Sequence, residues 1–206
     1  VLPKESGPAI PRDYGRETDL TPLEAEVSCE MEVSMPTFLL GFKCPPMSGG
    51  QEQMRRTLIG ELACDVLLGD SSPLYARLYS QGLINGTFGY SFDTLPGVAY
   101  AYIGGDSKDP HAVAEEVLQE ARRLVKDGID PDYYARIVRA NYGSTLKSLN
   151  SFESIAISLV EGQFDGYDPL LFPEMFDSIT PQDLLAFIRE NLCREHMALS
   201  VVYPKE

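Results

Sequence analysis

The chain has 206 residues, 44% hydrophobic and 23% charged, which is ordinary globular usage and excludes a disordered or low-complexity protein. A domain of this size buries on the order of 70% of its extended-chain surface and holds together without a disulfide or metal staple. The formal charge of −14 is spread along the chain; it repels phosphate backbones and anionic headgroups, which argues against nucleic acid and membrane as partners.

Residues 1–22 carry Pro3, Pro8, Pro11 and Pro22 with two glycines among charged residues. That composition predicts a linker or extended arm ahead of a single domain over residues 23–206. The first residue is Val1 rather than Met, and the expectation is a segment of a longer chain with no signal peptide. Val27, Cys29, Met31 and Val33 then alternate with Ser28, Glu30, Glu32 and Ser34, the period of a strand with one wet face. Residues 37–43, with Phe38, Leu39, Leu40 and Phe42, predict a second and more buried strand, stopped by Pro45-Pro46, which cannot continue a ladder. Over residues 51–68 the period becomes helical, with Met54, Leu58, Leu62 and Val66 as the apolar stripe and Gly69 as the stop. A short helix over 73–81 follows, then strands over 86–94 and 98–103 joined by Leu95-Pro96-Gly97, turn chemistry suited to antiparallel neighbours.

The second half is mostly helical. Asp109-Pro110 and Asp130-Pro131 both read as an N-cap followed by proline at the first helical position. The first of these helices extends to about residue 127, with Gly128 as its stop. The second carries Tyr133, Ile137 and Ala140 and can run on through Phe152, Ile155, Ala156, Leu159 and Val160. The spacing of those last five predicts a stripe facing the core. Thr180-Pro181-Gln182-Asp183 opens a further helix with Leu184, Phe187, Ile188 and Leu192 as its buried face, and residues 197–202 alternate as a closing strand. Paired strands and a block of helices predict an α+β fold, with an antiparallel sheet of roughly four to six strands and helices packed mainly on one face.

Motifs for chemistry are missing. His111 and Glu115 stand one helical turn apart, but zinc needs three or four ligands, and His196 has no ligand-like neighbourhood in sequence. H-x-x-E-H, H-E-x-x-H, C-x-x-C and Gly-x-Ser-x-Gly are all absent. Gly104-Gly105-Asp106 and Ser48-Gly49-Gly50 are short turns, not phosphate cradles. Cys29, Cys44, Cys64 and Cys193 are widely separated, as reduced thiols of a cytoplasmic protein are. No apolar run approaches the ~20 residues that span a bilayer. Motif reading therefore yields an α+β domain that is not a complete enzyme by itself: no catalytic residue, no metal ligand and no cofactor site.

One stretch goes further. Ser71-Ser72-Pro73-Leu74-Tyr75, Leu78 and Gly82-Leu83, followed by residues 99–106, the helix opening Gly128-Ile129-Asp130-Pro131 and the close Ser178-Ile179-Thr180-Pro181-Gln182-Asp183-Leu184, resemble in order and spacing the insulinase/pitrilysin family of zinc peptidases. That family includes the mitochondrial processing peptidases, and the likeness is nearest to its bacterial zinc proteases. It covers roughly residues 24–204. The resemblance implies a protein of paired homologous halves enclosing a chamber, with H-x-x-E-H and a downstream glutamate on the zinc half. It implies that this chain is the other, C-terminal half, with zinc held only by a partner domain or subunit and a peptide as substrate. Active relatives offer an arginine and a tyrosine from this half, seven residues apart, to grip the peptide. Those positions fall near Tyr79 and Asn85, so the pair is not preserved; Arg77 lies two residues off. Ser72, Arg77, Tyr79 and Asn85 are the candidate peptide contacts. The alternative is a scaffolding or protein-interaction module that kept the fold and lost the peptidase function.

Overall fold

A computed structural model describes residues 13, 15 and 18–205, so most of the expected linker over 1–22 lies outside the described residues. Strands β1 (Glu26–Met31) and β2 (Thr37–Cys44) lead to helices α1 (Gly50–Leu68) and α2 (Pro73–Ser80), then to strands β3 (Gly89–Leu95) and β4 (Val98–Asp106). Helices α3 (Pro110–Asp127), α4 (Pro131–Ser148), α5 (Phe152–Asp165), α6 (Phe172–Ser178) and α7 (Pro181–Asn191) follow, and β5 (Met197–Pro204) closes the domain.

The sheet order is β1-β5-β2-β4-β3. Its register lines up one row, Leu199–Leu40–Ile103 and the half-buried Tyr90, and a second, buried throughout, Met197–Phe42–Ala101–Phe92. Alternation along each strand sends these residues to the face covered by helices, where Leu40 and Val201 are fully buried. Helix α1 packs on β3, and α3 and α7 pack on β2. The opposite face carries Leu39, Lys43, Tyr100 and Tyr102 without a helix over it, and Leu39 is 50% exposed. The α+β class with helices on one face is thus the observed one.

Three strand pairings are antiparallel, but β1 and β5 run parallel. The reason is order: β5 inserts between β1 and β2, antiparallel to β2, which already runs opposite to β1. The expectation of one wet face on β1 does not hold, since all six of its residues are exposed. β1 is the edge strand, and the covering helices sit over β2 and β3.

Local signals placed the helix starts. Asp109 accepts a hydrogen bond from the Ala112 amide at 3.0 Å and Asp130 from the Tyr133 amide at 2.8 Å. Thr180 and Asp183 form a reciprocal capping box. The run from α4 into α5 is broken at Leu149-Asn150-Ser151, and Ser151 caps the new helix by accepting from the Ser154 amide. The break turns α5 away from the sheet, so the stripe expected to face the core is covered only in part: Ile155 and Leu159 border a hollow beside α1, while Phe152 is 91% exposed and Val160 53%. What α5 packs on is the turn Pro169–Leu171, through Gly162, where an added Cβ would lie 2.7 Å from the Pro169 ring.

Candidate functional site

Helix α2 and the turn after it hold the four residues singled out from sequence. Ser72 is buried and caps α2, its Oγ accepting from the Tyr75 amide at 3.0 Å. Leu74 and Leu78 anchor the helix in the core. Arg77 donates from Nε to Glu116 at 3.0 Å and from Nη2 to Glu120 at 3.2 Å, while Arg123 donates to the other oxygen of Glu120. Burial opposes ionisation of Glu120, but the hydrogen bonds from Arg123 and Arg77 outweigh it and hold the carboxyl below its ordinary value. Arg77 therefore staples α2 to α3. Tyr79 is 57% exposed and stacks on Tyr75 at 5.9 Å, and Tyr75 meets Phe88 edge-on. Asn85 shapes the turn into β3: its Oδ1 accepts from the Thr87 amide and hydroxyl, and Thr87 Oγ1 accepts from the Asp106 amide. The four residues share one segment but each has its own partner, and only Tyr79 presents most of its side chain to solvent.

A second constellation was not legible as a site. Asp65 on α1 accepts from the Tyr90 hydroxyl at 2.8 Å and from Asn141 Nδ2 at 2.6 Å. Tyr133 donates to the Val66 carbonyl beside it. The knot ties α1, β3 and α4 together. One turn earlier, Glu61 opens into a hollow of about 490 Å³ between α1, α4, α5 and the Pro169–Phe176 stretch. Its surface is exposed to this hollow and to a second cleft beside Tyr90 and Asp93. Enclosure by the walls, then the charges of Asp65 and Asp93, push its carboxyl up to about 7. The only hint in sequence is that Glu61 and Asp65 lie four apart on the flank of α1.

The remaining candidates are separate. His111 Nε2 lies 3.4 Å from Glu26 and 3.4 Å from the Tyr203 hydroxyl, while Glu115 pairs with Arg194, so the two do not act as a pair. His196 stands in the 3-10 turn just before β5. All four cysteines are free, and burial pushes the Cys44 thiol up to about 12. Among the described residues no group of three or more His, Cys, Asp or Glu is arranged to hold a metal, and no helix is long and apolar enough to cross a membrane.

Comparison with known proteins gives this geometry its context. The chain is 30% identical over 211 residues to the uncharacterized zinc protease YmfH of Bacillus subtilis (strain 168), covering 98% of this chain and 47% of that protein. The chain thus spans about half the length of that curated relative. The fold matches a protein described as an M16-like peptidase from Alicyclobacillus acidocaldarius at a TM-score of 0.89 and 23% identity, over 98% of this chain and 48% of that one. It also matches a chain described as the inactive peptidase domain of a zinc protease from Bordetella parapertussis, at a TM-score of 0.70 and 15% identity, over 86% of this chain and 95% of that one. Residues 2–141 match the family described as the Peptidase M16 inactive domain, and with two thirds of its length so matched the chain belongs to that family.

Proposed function

We propose that this domain is the non-catalytic C-terminal half of a two-half cytoplasmic zinc metallopeptidase, forming a wall of the peptide chamber while zinc and the catalytic glutamate sit on a homologous partner half. The observation that carries this is the match of residues 2–141 to the Peptidase M16 inactive domain, read with the lack of a metal-holding group among the described residues. Four free cysteines suit a reducing compartment. For the peptide contact we favour the β3 edge. Among the described residues β3 pairs only with β4, and the Ser72–Asn85 segment leads directly into it. An extended peptide can add there through main-chain hydrogen bonds, with the exposed Tyr79 ring packed on Tyr75 as an apolar shelf beside it. Arg77 supports that shelf by holding α2 on α3.

The test is to mix the chain with the zinc-bearing half of the longer protein and follow cleavage of an unstructured fluorogenic peptide. The chain alone should hold no stoichiometric zinc and cleave nothing, and the mixture should cleave in a zinc-dependent manner. Tyr79→Ala should raise KM without unfolding the domain. If the zinc half turns over equally well with and without this chain, the reading fails. The second reading, a scaffolding module without peptidase function, is favoured by one observation: Asn85, near where the family resemblance implies a peptide-gripping tyrosine, is occupied in holding its own turn.

A further inference from the structure

We infer that the groove between α3 and α7 docks an acidic amphipathic helix of a partner protein, one whose apolar stripe carries carboxylates on both flanks. The inference goes beyond the peptidase reading and does not rest on it. The floor of the groove is apolar, with Leu118, Ala121 and Val125 from α3 and Ile188 and Leu192 from α7. Cations stand on both banks, Arg122 and Lys126 on α3, Arg189 on α7 and Arg194 just after it, against the single carboxylate of Glu195. In a chain of net charge −14, four of the 17 lysines and arginines thus gather at one groove. Arg122 and Lys126 have no carboxylate partner among the described residues, whereas Arg123 between them pairs with Glu120 and Asp127. The helix dipoles favour Lys126 and Arg189, which stand in the last turns of α3 and α7. They account neither for Arg122, a turn further back, nor for the apolar floor.

The two banks select the occupant. A fatty acid or other single-headed anion offers one carboxylate, which cannot pair with both sides of an apolar floor. Nucleic acid brings no apolar stripe, and the chain's overall charge repels its phosphates. Two copies of the chain, each at −14, repel one another as well. An amphipathic helix lays apolar side chains along a groove of this kind. It also carries its acids one turn apart, the spacing of Arg122 and Lys126. Arg189 and Arg194 already meet Glu190 and Glu115, but at exposed positions, where ion pairs are weak enough to be exchanged. The space of about 400 Å³ is as large as sites that bury organic groups, roughly 300–1,000 Å³. From Leu118 to Lys126 the α3 wall runs about 12 Å, two helical turns, so a short partner helix spans it.

The experiment measures fluorescence anisotropy of a labelled peptide of about fourteen residues against the whole chain, at pH about 7.5 and low salt. The peptide carries leucine on one helical face and glutamate on both flanks. A second peptide has glutamine for every glutamate, and a third keeps the composition of the first with the stripe scrambled. The first should bind saturably, gain helix by circular dichroism, and weaken as salt rises. The other two should bind on the order of tenfold more weakly. The double variant Arg122→Gln, Lys126→Gln, at exposed positions, should melt like the parent and bind the first peptide about fivefold more weakly. Val125→Glu puts a carboxylate on the floor and should abolish binding; where it fails to fold, the double variant decides. Equal binding of the glutamate and glutamine peptides, equal binding of the scrambled peptide, unchanged affinity in the double variant, or no saturable binding would each overturn the inference. So would displacement of the peptide by dodecanoate or a single-stranded oligonucleotide at lower concentration than by unlabelled peptide. Self-association of the chain in sedimentation that the double variant abolishes would give the groove to a second copy and overturn it too.

Discussion

Gly60→Ala sets two opposed effects against each other where α1 crosses β3. A Cβ built on Gly60 falls 2.4, 2.5 and 2.8 Å from the Cδ1, Cε1 and Cγ atoms of Phe92. Carbon atoms prefer about 3.5–4.0 Å, so the ring or the helix must move by about 1 Å. The ring has little room: Phe92 is buried and stands edge-on to Phe187 at 5.2 Å. Overpacking of this kind costs about 1–3 kcal/mol, and the depth of the overlap puts it toward the upper end. Against it, alanine is better than glycine in a helix interior by about 1 kcal/mol. The net expectation is a loss of about 1–2 kcal/mol, read as a fall of roughly 0.5–1 M in the urea midpoint with an unchanged slope. Phe92→Leu should lessen the clash, so the double variant should be more stable than the sum of the single effects by about 1 kcal/mol. A Gly60→Ala protein as stable as the parent, with additive effects in the double variant, would refute the reasoning and leave helix propensity in charge.

Glu61→Gln tests the enclosed carboxyl. Because the folded group titrates at about 7 instead of its ordinary 4.5, the parent loses stability as pH rises between those values and levels off above. Glu61 opens onto the water of the hollow, which discounts the effect to about 1 kcal/mol; the variant should gain that much at pH 8 and nothing at pH 4 in paired urea melts. Glu120→Ala should cost about 1 kcal/mol at pH 7, since it removes the carboxylate that Arg77 and Arg123 share, while Arg77 keeps Glu116 and Arg123 keeps Asp127 and both are partly solvated. The folded carboxyl lies below its ordinary value, so this contribution is present above the ordinary glutamate range and fades as pH falls below it; the gap between variant and parent should narrow as the pH is lowered through that acid range. Phe164→Gln, at an 84% exposed position, should leave stability within about 0.5 kcal/mol and reduce binding of an apolar dye.

Elements governed by near neighbours were legible from residues alone. The capped starts at Asp109, Asp130 and Thr180 are contacts three residues long, and the alternation in β2 is carried by its own side chains. What failed depends on distant partners. Periodicity shows that the stripe from Phe152 to Val160 is apolar, but not whether the sheet covers it, and a three-residue break decided against it. Alternation in β1 likewise says nothing of its place at an edge. Of the candidate peptide contacts, Arg77 is engaged by Glu116 and Glu120 of α3, 39 and 43 residues away, partners that sequence does not place beside it. The knot at Asp65 needs Asn141, 76 residues on, and no local pattern announces it.

The place of β5 has a consequence for how the chain folds. β5 fills the slot between β1 and β2, pairing Glu26 with Leu199, about 170 residues apart. Until it arrives, β2 has an unpaired flank and β1 has no neighbour at all. Contacts of that separation close late and slowly. During synthesis the sheet β2-β4-β3 therefore waits, with the flank of β2 open, for β5 to leave the ribosome. A chain shortened by the single strand β5 would lose the bridge between its edge and its core, not a fringe, and is expected to aggregate where a chain lacking β1 alone would stay soluble.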